Sequence, residues 1–399
     1  MLNNIRLNNY LPPKPAKIAV AMSGGVDSSV VAWMLHQQGY QVVGFTAWTL
    51  NGPGACCNDA LINAGRVCER LGVPYETVDL RDAFTHYVMN HYDASYQAGL
   101  TPNPCVECNR FIKWGPLVRF AREQLGADYI ATGHYAQRVQ HAGRAQIHRA
   151  VDGRKDQTYM LARVAPEDFD YALFPLGGMV KTDVVAMARE ADIPNAYSKE
   201  SMDVCFVAEQ GQANYLKGVL GESQGLVLDY ETGETLGTHS GHYLFTRGQR
   251  KGVQVAAGRP VYVIKTDAAT NTVWVGDAHH LQQDTFTVKA VNWLETPDAT
   301  GPGDTISALK AKIRYASPPQ QVALIPLAAP GLANEPAYTL KNIGPEPFSG
   351  VTPGQIAVFY DDAFSQLLGG GYIEAYLPQQ ARDFEALSGT QPKQACAKP

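Results

Sequence analysis

The sequence predicts an α/β N-terminal domain with a doubly wound parallel sheet, followed by a small β-rich central domain and a C-terminal β-barrel. In the first half, short apolar strands alternate with helical patterns of about ten residues. After about residue 215, frequent glycine turns separate short strand-like segments. The chain has 399 residues, a length that suits two or three domains.

The elements of the first half follow from hydrophobic patterning. Strands are predicted at residues 17–22, 41–46, 75–79 and 129–132. Helices are predicted at residues 28–38, 58–71 and 117–125. Gly39 and Gly72 follow the first two helices, where glycine commonly ends a helix. Because ligands of such sheets bind beyond the carboxyl ends of the strands, the loops that follow the strands are the first candidates for a site.

The second half is predicted to be all β. Strand-like segments occur at residues 260–265, 272–276 and 285–292. We expect the catalytic domain to span 1–215, the central domain 216–283 and the barrel 284–378, with a linker near 281–284. The polar tail, 379–399, is expected to be disordered.

Composition excludes several classes of protein. Apolar residues make up 45% of the chain and charged residues 18%, which is ordinary for a soluble globular protein. No run of about 18 apolar residues predicts a transmembrane helix, and the N-terminus lacks the apolar core of a secretory signal. The seven cysteines are few for a disulfide scaffold, and an odd number cannot all pair within one chain. We therefore expect cytosolic thiols and a cytoplasmic protein without a membrane partner.

The net charge of −5 conceals two basic windows. Residues 101–160 hold nine Lys/Arg against five Asp/Glu, and residues 241–320 hold nine against six. Lys310, Lys312 and Arg314 alternate as in a strand, which would place them on one face. Such windows suit a polyanion docked on selected surfaces. Uneven composition without function is the alternative, and the charges alone favour it.

The segment SGGVDSS, residues 23–29, follows the first strand and opens a helix. Its glycines let backbone amides approach an anion, its serines add hydroxyl donors, and the helix presents its positive end. Asp27 can help to hold Mg²⁺ beside phosphates. A serine-capped glycine turn is the structural alternative. No Gly-Lys-Ser/Thr follows, so the loop is not a Walker A motif.

SGGVDSS resembles the PP-loop of the N-type ATP pyrophosphatases. This resemblance implies cleavage of ATP between the α and β phosphates, with adenylation of a carbonyl oxygen and release of pyrophosphate. The spacing alone implies only a phosphate site.

Three cysteines stand in distinctive settings. Cys105 and Cys108 lie in TPNPCVECN, close to Arg110 and Lys113, whose positive charges favour a thiolate. Cys205 lies in SMDVCFV, where a buried core thiol is the structural alternative. A Cys-x-x-Cys alone can be metal-binding, redox-active or incidental, and a structural zinc site would need a second ligand pair.

A series of segments resembles the tRNA-specific 2-thiouridylases, the MnmA/TrmU family. With the loop at residues 21–28, they follow the family's order from residue 17 to about 376. The segments are TPNPCVECNRFIKW, TGHYA (132–136), RKDQTYML (154–161), SMDVCFV, TRGQRKG (246–252), KIRYASPP (312–319), PGQIAVFY (353–360) and LGGGYIE (368–374).

The resemblance implies a tRNA sulfurtransferase that uses ATP and Mg²⁺ to make 2-thiouridine at the wobble position, U34. It implies an adenine nucleotide alpha hydrolase-like first domain. The implied partners are the anticodon arm of the tRNAs for Lys, Glu and Gln, and a cysteine desulfurase or sulfur-relay protein as the sulfur donor.

The resemblance also assigns residues to roles. Cys108 matches a nucleophile and Cys205 the persulfide carrier, and a disulfide between them forms during the reaction. The residues implied to bind ATP are Ala21, Met22, Ser23, Gly24, Gly25, Val26, Asp27, Ser28, Ala47 and Gly133. The residues implied to meet tRNA or the target base are Asn103, Pro104, Cys105, His134, Lys155, Asp156, Gln157, Arg314, Tyr315 and Gln355.

Cys105 departs from the family pattern, because many members have Asp there as a proposed acid/base. A thiol cannot copy the hydrogen bonding of a carboxylate, and its reference pKa is much higher. Cys105, Cys108 and Cys205 also match the three ligands of a 4Fe–4S cluster with one open iron.

Two other functions stay open: another AMP-forming PP-loop ligase, and a non-catalytic tRNA-binding protein with a relic ATP site.

Overall fold

The computed structural model describes residues 10–50, 56–198, 204–253, 255, 258–297, 304–327 and 336–374. The expected tail at 379–399 and part of SMDVCFV lie outside these ranges. Within them, no helix has the length and apolar character needed to cross a membrane.

The N-terminal domain is organised around a five-stranded parallel sheet. Its elements are β1 (Lys17–Ala21), α1 (Val26–Gln37), β2 (Gln41–Trp48), α2 (Cys56–Leu71), β3 (Tyr75–Asp79), α3 (Arg81–Phe84), α4 (Asn90–Gln97), α5 (Pro104–Cys108), α6 (Pro116–Glu123), β4 (Tyr129–Thr132), β5 (Ala136–His141), β6 (Arg144–Arg149), β7 (Ala172–Leu173), α7 (Lys181–Glu190) and α8 (Gln212–Leu220). The strand order is β3-β2-β1-β4-β7, so the chain reverses its direction across the sheet between β1 and β4. Such a switch point opens a crevice at the carboxyl ends of the two strands.

The predicted fold class is confirmed, and the predicted strands at 75–79 and 129–132 have the observed bounds. The prediction missed the helices between β3 and α6. Two π-helical turns, Thr85–Met89 and Asn109–Lys113, interrupt this region. A π-helical turn adds a residue and shifts the helical phase, which obscures the 3.6-residue period that the prediction relied on.

The central domain is a four-stranded sheet in the order β10-β11-β8-β9. Its strands are β8 (Gly225–Asp229), β9 (Thr235–His239), β10 (Tyr262–Asp267) and β11 (Thr272–Gly276). Its small core consists of Phe245 and six valines: Val227, Val253, Val261, Val263, Val273 and Val275. β-Branched residues suit such a half-buried pleated surface.

The C-terminal domain is a closed six-stranded barrel in the order β13-β16-β15-β14-β18-β19, with β13 also pairing β19. The strands of this part are β12 (Gln282–Gln283), β13 (Thr285–Trp293), β14 (Ile306–Lys312), β15 (Gln320–Pro326), β16 (Tyr338–Asn342), β17 (Phe348–Ser349), β18 (Ile356–Asp361) and β19 (Gln366–Ile373). Closure removes the unpaired sheet edges that would otherwise be open to other chains.

The β5–β6 hairpin of the N-terminal domain joins the barrel sheet. His148 and Ile147 of β6 pair with Gln366 and Leu367 of β19. The barrel is therefore hydrogen-bonded directly to the segment that follows β4, and this contact fixes the barrel beside the crevice of the parallel sheet.

Candidate active site

The loop between β1 and α1 closes on the first turn of the helix. The Ser28 hydroxyl accepts a hydrogen bond from the amide of Ser23 at 3.1 Å, and the Ser29 hydroxyl donates to the carbonyl of Gly25 at 2.9 Å. The helix that follows has 12 residues, so its amino end carries a full helix dipole. The loop amides and this helix end form an anion-binding cradle.

Two glycines are required by the close packing around the loop. Gly24 has a φ of +72°, and a Cβ there would lie 2.5 Å from the Cα of Ala60 in α2. A Cβ on Gly133, just after β4, would lie 2.9 Å from the amide nitrogen of Ser28. The loop is therefore confined between α2 and the end of β4.

Distant residues hold the loop. Lys181, the first residue of α7, places Nζ 2.6 Å from Oδ1 of Asp27, and the Tyr135 hydroxyl donates to the same oxygen at 3.1 Å. The buried amide of Asn195 donates to the Gly24 carbonyl at 2.6 Å and to the Ser29 hydroxyl at 3.1 Å. Neither Lys181 nor Asn195 is predictable from the sequence, because neither lies in a recognisable local motif.

The remaining residues predicted to bind ATP lie along the same edge of the sheet. Ala21 ends β1 and pairs with Phe45 of β2 and with Thr132 of β4. Ala47 lies two residues beyond Phe45 in β2 and is half-buried. The structure thus brings Ala47, the loop and Gly133 to the carboxyl ends of β1, β2 and β4.

The segment with Cys105 and Cys108 forms a short helix, α5. Asn103 caps it by accepting a hydrogen bond from the amide of Val106 at 3.3 Å, and Pro104 occupies the first helical position. The Asn109 side chain donates to the carbonyl of Cys105 at 2.9 Å. Asn103, predicted to meet the target base, therefore uses its side-chain oxygen to begin the helix.

The two cysteines of α5 have different surroundings. Cys105 is exposed to solvent, yet enough protein surrounds it that desolvation raises the pKa of its thiol, and the charge of Lys113 opposes this rise. Cys108 is half-buried against the main core.

Cys205 is exposed on the turn of residues 204–210. Phe206 anchors this turn by edge-to-face contacts with Tyr92, at 5.1 Å between ring centroids, and with Tyr215, at 5.3 Å. The alternative of a buried core thiol is therefore wrong for Cys205.

The barrel contacts the segment that leads into α5. The amide of Thr101 donates to the carbonyl of Pro353 at 2.9 Å, and the Gln355 side chain donates to the carbonyl of Pro102 at 3.5 Å. In α5 itself, the buried carboxylate of Glu107 accepts a hydrogen bond from Tyr372 of β19 at 2.8 Å. Gln355, predicted to contact tRNA, therefore also connects the barrel to the cysteine segment.

His134 lies at the end of β4, buried beside Trp114 and Phe174. Its Nδ1 lies 2.8 Å from the Thr132 hydroxyl. Burial lowers the pKa of His134 well below its ordinary value, and Lys113 lowers it further. A neutral imidazole at physiological pH follows.

The Lys155–Gln157 segment is fixed to the strand edge. Gln157 accepts from the amide of Tyr135 at 3.0 Å and donates its own amide to the Tyr135 carbonyl at 2.9 Å. The buried Asp156 accepts from Ala150 and Thr158, which gives it a structural role. Lys155 is half-buried, and its amide donates to Asp152.

Arg314 and Tyr315 lie in the turn after β14, which ends at Lys312. The expectation that Arg314 shares a strand face with Lys310 and Lys312 is therefore wrong. Its guanidinium donates to the carbonyls of Arg247 and Gly350, both at 2.8 Å, and joins the central domain to the barrel. Tyr315 is 39% exposed, with its hydroxyl donating to the Asp156 carbonyl at 3.0 Å.

A parallel sheet with an SGGVDSS loop at its switch point defines the PP-loop class of ATP-using proteins. Three family models match in succession: a tRNA methyl transferase HUP domain over residues 16–209, a tRNA methyl transferase PRC-barrel domain over 213–277 and an aminomethyltransferase beta-barrel domain over 283–373. The chain is 42% identical over 364 residues to a tRNA-specific 2-thiouridylase of Trichormus variabilis, covering 90% of this chain and 99% of that protein. The 2-thiouridylase of Nostoc punctiforme has the same identity and coverage. The chain belongs to the tRNA-specific 2-thiouridylase family.

Two solved structures are similar to about half of this chain. The U34-tRNA thiolase NcsA of Methanococcus maripaludis, solved with its 4Fe–4S cluster, is 22% identical with a TM-score of 0.33, over 48% of this chain and 62% of that one. A 4-thiouridine synthetase in complex with RNA and ATP is 16% identical with a TM-score of 0.32, over 51% of this chain and 50% of that one.

Proposed function

We propose that this protein is a tRNA 2-thiouridylase that adenylates U34 with ATP and then transfers sulfur from a cysteine persulfide. One observation most strongly supports a single active site that includes both the cysteines and the phosphate loop. The ring of Trp114, six residues beyond the end of α5, lies 6.4 Å from the ring of His134 between centroids, and Gly133, next to His134, packs against Ser28 of the loop. The cysteine helix, the end of β4 and the anion-binding loop are therefore neighbours.

ATP occupies the loop in this proposal, with its phosphates on the amides of Ser23–Ser28 and its adenine near Ala47. In the described part of the chain, only Oδ1 of Asp27 accepts hydrogen bonds, which leaves Oδ2 for a cation. Asp27 would hold Mg²⁺, which neutralises phosphate charge when bound. Lys181, beside Asp27, would stabilise the departing pyrophosphate.

The tRNA is held through its anticodon arm, and U34 is flipped into the crevice. The C2 carbonyl oxygen of U34 attacks the α-phosphate, and the bond to pyrophosphate breaks. This step turns a poor leaving oxygen into the good leaving group AMP. The neutral, buried His134 and the exposed ring of Tyr315 carry no charge, so they are suited to contact bases rather than phosphates.

Sulfur then replaces the activated oxygen. A cysteine desulfurase or relay protein loads Cys205 as a persulfide, whose terminal sulfur attacks C2 while AMP leaves. Cys108 then attacks the Cys205 sulfur, forming a Cys108–Cys205 disulfide and releasing the thiolated base. Alternatively, Cys108 attacks first and releases hydrosulfide, which attacks C2. Thiolates suit both routes because they are strong nucleophiles near neutral pH.

A 4Fe–4S cluster on Cys105, Cys108 and Cys205 is the alternative sulfur carrier. Iron ligation needs thiolates, whereas the surroundings of Cys105 raise the pKa of its thiol. Three thiols are nevertheless the donors that such a cluster takes, because a coordinating iron deprotonates its thiol ligands. No step is assigned to the cluster. If anaerobic reconstitution gives a brown protein whose activity depends on all three cysteines, a cluster-dependent route replaces the persulfide route.

The tRNAs for Lys, Glu and Gln are the proposed substrates, and the cytoplasm is the proposed compartment. Domain limits of 1–215, 216–283 and 284–378 are proposed for the three parts of the chain.

The test is thiolation of an anticodon-arm RNA with ATP and a persulfide donor. Cys205→Ser and Cys108→Ala should each abolish 2-thiouridine, measured by nucleoside mass spectrometry, while ATP binding persists. Cys68→Ala is the matched control, because Cys68 is buried in α2 away from the loop chemistry. Undiminished 2-thiouridine with either active-site variant would refute the assignment. An RNA with cytidine at position 34 should release no pyrophosphate.

A further inference from the structure

Two histidines and a glutamate converge on the surface of the central domain, away from the crevice. Glu231 lies in the turn after β8, while His279 and His280 lie in the helical turn Ala278–Leu281 after β11. Among the described residues, this is the group whose metal-ligating atoms all lie within 4.8 Å of one another.

The distances in this group suit a divalent cation. Nε2 of His280 lies 2.7 Å from Oε1 of Glu231, and Nε2 of His279 lies 4.0 Å from the same oxygen. Ligands about 2.0–2.1 Å from a tetrahedral ion are roughly 3.3 Å apart. The two observed distances bracket this value, so small side-chain rotations would complete the geometry.

The two backbone segments are already held together. Arg259 forms ion pairs with Asp229, at 2.9 Å, and with Asp277, which precede Glu231 and His279 by two residues each. Asp229 also accepts a hydrogen bond from the amide of Glu231 at 2.9 Å. The backbone positions of the ligands are therefore fixed by folding, which favours binding.

We propose that Glu231, His279 and His280 bind a divalent metal ion of the borderline class, such as Zn²⁺ or Co²⁺, with water completing the coordination. Two imidazoles and one carboxylate are the donors such ions prefer. The helical turn leads directly into β12 and the barrel, and the carbonyl of Leu281 accepts a hydrogen bond from Gly350. The bound ion would therefore brace the central domain against the barrel.

Cobalt titration of the full chain tests this site. Co²⁺ on nitrogen and oxygen ligands gives visible d–d bands without the near-ultraviolet charge-transfer band of thiolate ligation, so binding at the cysteines is recognisable. We expect one such ion per chain. His280→Ala and Glu231→Gln should each weaken its binding by at least about tenfold. His141→Ala, an exposed histidine on the β5–β6 hairpin, is the matched control.

A second measurement separates loss of metal from loss of fold. Zn²⁺ should raise the melting temperature of the wild type and of His141→Ala, but not of His280→Ala. Equal Co²⁺ affinity in wild type and His280→Ala, or a spectrum with thiolate bands alone, would show that His280 and Glu231 form only an ordinary hydrogen bond.

Discussion

Tyr372, in the last barrel strand, donates a 2.8 Å hydrogen bond to Glu107, which lies between the two cysteines of α5. Both side chains are buried, and burial together with the charge of Glu107 raises the pKa of the Tyr372 hydroxyl. The barrel therefore holds the cysteine helix through a charge-assisted contact as well as through its loops. Tyr372 is a positioning residue in this arrangement.

We predict that Tyr372→Phe lowers the free energy of unfolding by about 1–3 kcal/mol, since a buried carboxylate loses a donor. The rate of thiolation should fall while ATP affinity is unchanged, because the hydrogen bond of Tyr372 positions α5 rather than the phosphate loop. Tyr230→Phe, at a tyrosine that is 43% exposed, is the control for both measurements. A thiolation rate equal to that of the wild type would show that Tyr372 does not position α5.

Lys181 faces Asp27 at 2.6 Å, so it is placed to meet phosphate charge. Lys181→Met should lower kcat for tRNA-dependent pyrophosphate release by about 100-fold, in the range found when one donor to a developing anion is removed. Lys217→Met removes a surface lysine paired with Glu222 and should leave kcat unchanged. If only KM for ATP rises, Lys181 serves ground-state binding alone.

Gly133 packs against the loop so closely that a methyl group cannot be added without movement. Gly133→Ala should cost about 1–3 kcal/mol of unfolding free energy and weaken ATP binding, because the new Cβ displaces the amide of Ser28. Gly218→Ala in α8 has no atom within 4 Å of its Cβ, and should be stabilising by about 0.5–1 kcal/mol. Denaturant unfolding and calorimetric ATP titration measure both. Equal ATP affinity in the two variants would contradict the packing explanation.

Cys105 should react slowly with iodoacetamide near neutral pH, because desolvation raises the pKa of its thiol. Lys113→Gln removes the charge that opposes this rise, so the pH profile of alkylation should move further upward. Lys289→Gln on β13 is the control. Peptide mass spectrometry gives the extent of alkylation at each cysteine, and Cys68, whose pKa burial raises to about 12, should react only after unfolding. A profile shifted to lower pH in Lys113→Gln would overturn this account.

His134 should make the fold sensitive to acid. Its pKa is lowered in the folded protein, so below about pH 6.5 the unfolded chain binds a proton that the folded chain does not. The unfolding free energy therefore falls with falling pH, by at most about 1.4 kcal/mol per pH unit for this residue. His134→Gln should reduce the slope of stability against pH, measured by denaturant unfolding, whereas the exposed His141→Gln should not. Parallel slopes for wild type and His134→Gln would contradict the prediction.

Much of the fold was predictable because its signals are local. The strand–loop–helix of residues 17–37 carries its apolar run, its glycines and its helix start within about twenty residues, and the structure reproduces it. The six-stranded closure of the barrel and the pairing of β6 with β19 were not predictable, because turn signals indicate strands without specifying their partners.

The sequence by itself determined the order of the three parts, the phosphate loop and the positions of the cysteines, since each depends on residues that are neighbours in the chain. Only the tertiary structure decided that Lys181 and Asn195 hold the loop, that Arg314 joins two domains and that Tyr372 supports α5. These contacts join residues from 67 to 265 positions apart. A polar side chain carries no local sign of its distant partner, because burial and hydrogen bonding are settled only when the chain packs.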